Sequence, residues 1–197
     1  MTGQEQFDSY EPAGAVVAVD LVNELAVEHA FGRPAPATEP FAAIKRVLGI
    51  DPESAAQLRR RDVPEFVALA AQLREVFRDL DVGDVDAAAS RLNELLAAYP
   101  AHPHLAKGEG RWRVHHHPVD AGVVSMAAAV SAEALARLIG AGDGNRLGSC
   151  ESEDCDRVFL DASKNASRRF CSTTCQNRVK SAAFRRRQVE VASEVPR

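Results

Sequence analysis

Residues 146–187 read RLGSCESEDCDRVFLDASKNASRRFCSTTCQNRVKSAAFRRR and contain every cysteine of the chain. Cys150, Cys155, Cys171 and Cys175 follow the spacing C-x4-C-x15-C-x3-C. Two close pairs separated by about fifteen residues can converge on one tetrahedral ion, because each pair supplies two thiolates from a single turn. The spacing therefore predicts one structural zinc ion with four thiolate ligands, which leaves no open position for a catalytic water.

The cellular compartment decides whether these thiols are reduced. The chain has 197 residues, with no apolar run of the roughly 18 residues that a membrane span needs and no signal-peptide pattern at its start. We therefore expect a cytoplasmic protein that has no membrane partner. In a reducing compartment a cluster of four cysteines is more often metal-bound than disulfide-bonded, so zinc is favoured over the disulfide alternative.

The residues between the cysteines predict a small fold around the metal. Residues 157–160 can form a strand after the first cysteine turn, residues 161–165 a turn, and residues 168–170 a returning strand. Cys171 then begins a final basic helix, and a separation of four residues places Cys175 on the same helical face. This order of knuckle, hairpin and helix predicts a treble-clef zinc finger.

Charge is distributed unevenly along the chain. The net charge is -4, yet residues 162–188 hold eight of the 24 basic residues and no acid, which leaves 16 basic against 28 acidic residues elsewhere. The acidic remainder would repel a polyanion. Only the C-terminal segment is electrostatically suited to phosphate groups.

On a helical wheel of the final helix, amides and cations share the face opposite Cys175. Side chains of this kind can read base edges while cations hold phosphates, and Phe184 can touch a thymine methyl group or a base. The alternative is that Phe184 packs as core and the charges are only solvated. The predicted nucleic-acid contacts are Lys164, Arg168, Arg169, Asn177, Arg178, Lys180, Ser181, Phe184, Arg185 and Arg187.

The rest of the chain predicts a mostly helical domain. Apolar side chains at spacings of three and four, such as Phe66, Leu73 and Phe77, predict an amphipathic helix over residues 63–80. Residues 15–19 open either a strand or a helix. Further helices are expected at residues 41–48, at residues 51–60, around residues 92–99 and at residues 119–139, with a glycine-turn hairpin of two strands over residues 104–117.

These elements give an α+β fold class: a mostly helical N-terminal domain with a small β-hairpin, followed by a C-terminal treble-clef zinc finger. The predicted boundaries are a flexible tail at residues 1–12, the helical domain at 13–142, the finger at 146–190 and a second tail at 191–197. Three glycines within residues 140–144 predict a hinge, across which the acidic domain could mask the basic helix.

Four polar side chains of the helical domain are candidates for a ligand pocket. Asp20 and Asn23 lie on adjacent turns of an apolar helix, and strand alternation directs His115 and His117 to one face. The alternatives are that Asp20 and Asn23 satisfy buried backbone and that the histidines belong to an ordinary exposed strand, with a metal role less favoured. Trp112 is expected in the core.

Residues 146–187 resemble the CGNR zinc finger. The resemblance rests on Phe159-Leu160-Asp161, on Ser163 and Asn165, on Arg169-Phe170-Cys171, and on the signature Cys175-Gln176-Asn177-Arg178, which has glutamine where the family name has glycine. The N-terminal part is similar to the ABATE domain through Asp20-Leu21-Val22-Asn23, residues 73–77 and Arg111-Trp112. Together these resemblances imply a bacterial, stress-responsive transcription regulator with a nucleic-acid-binding finger and a sensing domain.

We therefore predict a regulator that binds DNA through its basic helix and whose N-terminal domain takes a small-molecule effector. Two alternatives from other classes stay open: an RNA-binding or ribosome-associated finger, and a protein-interaction adaptor. The sequence shows no serine, histidine and acid pattern, phosphate-cradling glycine loop or carboxylate pair, so an enzyme has little support. The oligomeric state is left open.

Overall fold

A computed structural model describes residues 13–50, 52–108, 111–118 and 120–193. The helices of these residues are α1 (Ala13–Leu25), α2 (Pro40–Val47), α3 (Pro52–Gln57), α4 (Val63–Asp81), α5 (Val85–Ala98), α6 (Val123–Gly140) and α7 (Thr173–Ser193). The strands form three antiparallel pairs: β1 (His29–Ala30) with β2 (Arg33–Pro34), β3 (Pro103–Gly108) with β4 (Arg111–His116), and β5 (Leu147–Ser149) with β6 (Val158–Leu160). The predicted α+β class is confirmed.

We call residues 13–142 the body and residues 146–193 the finger. The predicted tail at residues 1–12 and the last four residues of the other tail, 194–197, lie outside the described residues. Residues 191–193, which were assigned to that second tail, continue α7 instead. The predicted helix start at Asp51 also lies outside, and the helix that follows ends at Gln57 rather than near Arg60.

Helix α1 packs closely against α6 at the centre of the body. The helix alternative for its first residues is confirmed, because Ala18, Leu21 and Val22 recur at helical spacing and are buried. Gly14 permits the close approach, since a Cβ at this position would overlap the carbonyl oxygen of Val130 on α6. Small residues thus bring the two helices into contact.

Helices α4 and α5 form the other side of the core. Phe66, Leu73 and Phe77 of α4 are fully buried, as their spacing predicts. Asp84 caps the start of α5, because its carboxylate accepts a hydrogen bond of 2.9 Å from the backbone N–H of Ala87. Truncating a buried phenylalanine of this kind costs about 3–5 kcal/mol of stability.

Helix α6 is apolar enough to resemble a membrane span. Its 18 residues have a mean hydropathy of 1.5, but 61% of this stretch is buried inside the protein. Ala128, Ala132 and Leu135 contact the other helices with no exposed surface. The composition of α6 is therefore that of a central core helix.

The β3–β4 hairpin confirms the predicted pair of strands but not the predicted position of Trp112. The register pairs Leu105 with Val114 and Lys107 with Trp112. Trp112 is 66% exposed, so its assignment to the core is wrong. The helices of the body fill the core without the hairpin, which leaves the indole in solvent.

The finger is built on a different strand pair from the one predicted. Strand β6 pairs with β5, the three residues that precede Cys150, in the register Leu147 with Leu160 and Ser149 with Val158. Residues 168–170 lie in the described part of the chain and do not form a strand. The knuckle between Cys150 and Cys155 therefore connects the two strands.

The predicted glycine hinge is a closed helix end. Gly142 has a φ of +81°, and its N–H donates to the carbonyl of Ile139 at 3.0 Å. The N–H of Asp143 donates to the carbonyl of Leu138 at 2.8 Å. These two bonds are the pattern of a Schellman cap, in which glycine supplies the left-handed residue. The segment therefore joins the body and the finger through a fixed turn.

Body and finger also share one apolar core. Leu147 of β5 and Val158 of β6 are buried in the same cluster as Leu21 and Phe77 of the body. Asn23 of α1 adds a two-way link, since its amide donates to the carbonyl of Val158 at 3.0 Å and accepts from the N–H of Val158 at 2.9 Å. Body and finger therefore pack against each other across the sequence boundary at residues 142–146.

Candidate metal centre and basic helix

The four cysteines converge at the base of the last helix. Cys150 follows β5, Cys155 ends the knuckle, Cys171 lies two residues before α7, and Cys175 lies in the first turn of α7. The Sγ atom of Cys155 is 3.8 Å from that of Cys171 and 3.7 Å from that of Cys175, and Cys171 and Cys175 are 3.7 Å apart. One ligand atom from each of the four lies within 4.8 Å of the others.

These distances fit a tetrahedral zinc ion. Zinc–sulfur bonds of about 2.3 Å place the sulfurs of a tetrahedron roughly 3.8 Å apart. Burial is the largest cause that raises the pKa of the Cys150 and Cys171 thiols, so these two keep their protons without metal and release them when zinc binds. Burial by itself would raise the pKa of Cys175 as well, but hydrogen bonds from neighbouring thiols outweigh it and lower that pKa. The protein holds one structural Zn²⁺, and its four cysteine ligands leave no position for a reacting water.

Asp161 organises the loop that leads from β6 to the third ligand. Its carboxylate is 1% exposed and accepts hydrogen bonds from the backbone N–H of Ser163 at 2.8 Å and of Arg168 at 2.7 Å. Burial by itself would raise the pKa of Asp161, but the hydrogen bonds from Ser163 and Arg168 outweigh it and lower that pKa. The sequence marked Asp161 only through the family resemblance.

Arg168, a predicted nucleic-acid contact, is used inside the finger. Its guanidinium donates to the carbonyl of Phe170 at 2.8 Å, to that of Leu160 at 3.3 Å and to that of Cys171. It also lies over the ring of Phe159, 5.0 Å from the centroid. Arg168 thus closes the loop between β6 and the metal.

Two more of the predicted contacts have partners within the protein. Arg169 pairs with the carboxylate of Glu151, with an Nε–Oε2 distance of 2.7 Å. Arg178 donates to the hydroxyl of Ser152 at 3.1 Å and to the carbonyl of Glu153 at 3.2 Å. Gly32 of the body leaves room for this guanidinium, since a Cβ there would overlap it. Arg178 therefore ties α7 to the knuckle beneath it.

The outer part of α7 is different. Across residues 180–188, the side chains of Lys180, Ser181, Arg185 and Arg187 are exposed, and Phe184 is 57% exposed, so the core alternative for Phe184 is wrong. Within the described residues, Lys180, Arg185, Arg186 and Arg187 make no hydrogen bond or ion pair. Asn177 on the same helix and Lys164 in the loop are also exposed.

The outer part of α7 is exposed because the helix is long. Helix α7 has 21 residues and is therefore about 32 Å long, of which the metal site holds only the first turns. Arg186 is exposed like its neighbours because the helix has passed the finger by that point. We call residues 180–188 the outer segment of α7.

Asp156, which the sequence did not single out, fixes the knuckle to the body. Its carboxylate accepts from the N–H of Glu28 at 3.1 Å and from the N–H of His29 at 2.7 Å. Its own carbonyl accepts from the guanidinium of Arg74 at 2.8 Å. No local signal marks this aspartate, because its partners are more than 80 residues away in sequence.

The four candidate pocket residues fall into two groups with different partners. The amide of Asn23 is occupied by Val158, and burial is the main cause that raises the pKa of Asp20. His115 and His117 instead form a cluster with His104, with each pair of ring centroids 5.4 Å apart. Among the described residues, the cysteines are the group whose ligand atoms lie close enough together to hold a metal.

Comparison with protein families agrees with this architecture. Residues 15–142 match the ABATE model, described as "Putative stress-induced transcription regulator", and residues 146–188 match the model of the CGNR zinc finger. The first match alone covers about two thirds of the chain. No curated protein matches the chain.

Proposed function

Because this chain belongs to the ABATE family and carries a CGNR zinc finger, we propose that it is a transcription regulator that binds DNA through the outer segment of α7. One observation carries the proposal. The cations of this segment are exposed and make no internal pair among the described residues, whereas Arg168, Arg169 and Arg178 are already engaged. Free cations on a projecting helix are available to phosphate groups.

The chemistry of the segment suits duplex DNA. An α-helix fits the major groove, where Ser181 of this segment and Asn177, which precedes the segment on the same helix, can form hydrogen bonds to base edges and Phe184 can contact a thymine methyl group. Lys180, Arg185 and Arg187 would hold phosphates and set the orientation of the helix. The zinc ion would not contact DNA in this arrangement; its role is to fix the base of this helix.

The proposal includes no effector pocket built on all four predicted residues. Asn23 is committed to the backbone of β6, and the rings of His115 and His117 contact each other and that of His104. A small molecule can regulate DNA binding only through different affinities for two arrangements of the protein.

The test is binding of a labelled duplex as a function of salt. Five free cations, Lys164, Lys180 and residues 185–187, predict a log–log slope of roughly -4 to -5. The double variant Arg185→Glu/Arg187→Glu should abolish binding while zinc content stays at one per chain. The matched control Arg33→Glu/Lys45→Glu makes the same change of charge on exposed body residues and should bind nearly as wild type.

Three results would contradict the proposal. Unchanged binding by the double variant would move the interface away from α7. A salt slope near zero would exclude phosphate contacts as the main source of affinity. Preferential displacement of the duplex by structured RNA in a competition assay would assign the finger to RNA.

A further inference from the structure

The β3–β4 hairpin presents a strip of large apolar side chains to solvent. Leu105 is 64% exposed, Val114 56% and Trp112 66%. Because cross-strand partners share a face and side chains alternate along each strand, Leu105, Val114, Lys107 and Trp112 lie on one side of the hairpin. Contiguous exposed apolar residues of this size, tryptophan above all, mark interaction surfaces.

The hairpin is also a locally basic segment of an otherwise acidic body. Residues 103–116 carry Lys107, Arg111 and Arg113 against the single acid Glu109. Outside the hairpin and the basic segment 162–188, the chain has 13 basic and 27 acidic residues. Lys107, the cross-strand partner of Trp112, places positive charge beside the exposed indole, and this pair fits a polyanion that also offers flat apolar surfaces, which describes a nucleic acid.

The end of β4 packs against α6, which gives the strip a direction relative to the body. His116, at the end of β4, is half-buried with its Nδ1 atom 3.6 Å from the Glu133 carboxylate on α6. Glu133 is in turn bonded to Arg137 of the same helix. His116 and Trp112 lie on the same face of β4. His116, at the root of the hairpin, packs against α6, whereas Trp112, farther along the strand, lies in solvent.

We propose that the β3–β4 hairpin is a second DNA-contacting element, in which Trp112 and Leu105 contact a groove of the duplex while Lys107, on the same face, holds a phosphate group. A two-stranded antiparallel ribbon fits the major groove, and apolar side chains also act as wedges in the minor groove. The inference rests on the proposed function, because it needs the protein to bind DNA. It adds a contact that the family resemblance did not place in the body.

The experiment uses the fact that Trp112 is the single tryptophan of the chain. Its fluorescence is recorded in the full-length zinc protein while a labelled duplex is titrated, and anisotropy of the label reports binding independently. We expect quenching of Trp112 that saturates together with the anisotropy. Trp112→Ala should weaken binding roughly tenfold, as expected for loss of an aromatic contact to a base.

Variants separate a contact from a folding effect. Trp112→Phe keeps an aromatic ring and should recover most of the affinity. Val82→Ala removes another exposed apolar side chain from the body and should leave binding unchanged. Lys107→Glu should weaken binding and reduce the salt slope by about one. Zinc content and helicity should be the same in all of them.

Each contrary result has a distinct meaning. Anisotropy that rises while Trp112 emission stays constant would overturn the hairpin contact and leave the proposed function intact. Absence of any DNA binding would overturn both the hairpin contact and the proposed function. A blue shift of Trp112 that depends on protein concentration without DNA would identify the strip as an interface between copies of the chain and overturn the proposal.

Discussion

The base and the outer segment of α7 carry the same kind of side chain and use it differently. Arg178, near the base, donates to Ser152 and Glu153 of the knuckle. Arg185 and Arg187, two turns farther, are exposed and have no partner among the described residues. A basic sequence therefore indicates affinity for phosphate only where the protein has not already used the charge. The predictions below test this division, beginning with the metal that both regions depend on.

Loss of zinc should have the largest effect. A structural zinc ion supplies roughly 10 kcal/mol or more of folding free energy in small fingers. Because Leu147 and Val158 lie in the core of the body, Cys175→Ser or a strong chelator should destabilise the body as well as the finger. Circular dichroism during thermal unfolding and metal analysis measure this, and added zinc should reverse the chelator effect. A body that keeps its helicity and unfolding midpoint without zinc would contradict the shared core.

Substitution of Asn23 should have the second largest effect on stability. Asn23→Ala leaves the N–H and the carbonyl of Val158 buried without partners, which costs roughly 2–4 kcal/mol of the free energy of unfolding. Urea denaturation measures the loss. Asn93→Ala, at an exposed position of α5, is the matched control and should change stability by less than about 0.5 kcal/mol. Equal effects of the two substitutions would mean that the junction does not depend on this amide.

Substitution of Asp161 should have a smaller effect on stability, and that effect should depend on pH. Hydrogen bonds lower the pKa of Asp161 in the folded protein, so its ionised form stabilises the fold at neutral pH. That contribution is lost as pH falls through the lowered folded pKa. Asp161→Asn should cost roughly 1–3 kcal/mol at pH 7, and the difference from wild type should shrink below about pH 4.

Urea midpoints at several pH values measure this difference, with Asp120→Asn at an exposed site as the control. A difference between wild type and Asp161→Asn that stays constant from pH 7 to pH 3 would show that the charge of Asp161 does not stabilise the loop.

The sequence predicts what depends on local spacing. The metal ligands follow from cysteine intervals, and the body helices follow from apolar periodicity such as that of Phe66, Leu73 and Phe77. It misses what depends on partners far apart in the chain. Examples are the pairing of Asn23 with Val158 and the fit of Gly32 against Arg178.

The errors have the same origin. The three glycines within residues 140–144 suggested a hinge because the hydrogen bonds from Gly142 to Ile139 and from Asp143 to Leu138 are not visible in a composition. Trp112 suggested a core position because most tryptophans are largely buried, but it lies on the β3–β4 hairpin with its side chain in solvent. Arg168 stays a predicted nucleic-acid contact, but its role inside the finger is not visible in the sequence, because its three carbonyl partners come together only in the folded loop.

The division within α7 is tested most directly by Arg178→Gln and Arg187→Gln, measured side by side for Tm and for affinity to one duplex. Both variants remove one charge from the same helix. We expect Arg178→Gln to lower Tm, with a loss of about 1 kcal/mol in stability, because Ser152 and Glu153 lose their partner. Arg187→Gln should leave Tm unchanged while weakening DNA binding and reducing the salt slope by about one. Equal effects of the two variants on Tm, or stronger loss of DNA binding from Arg178→Gln at unchanged Tm, would contradict the division.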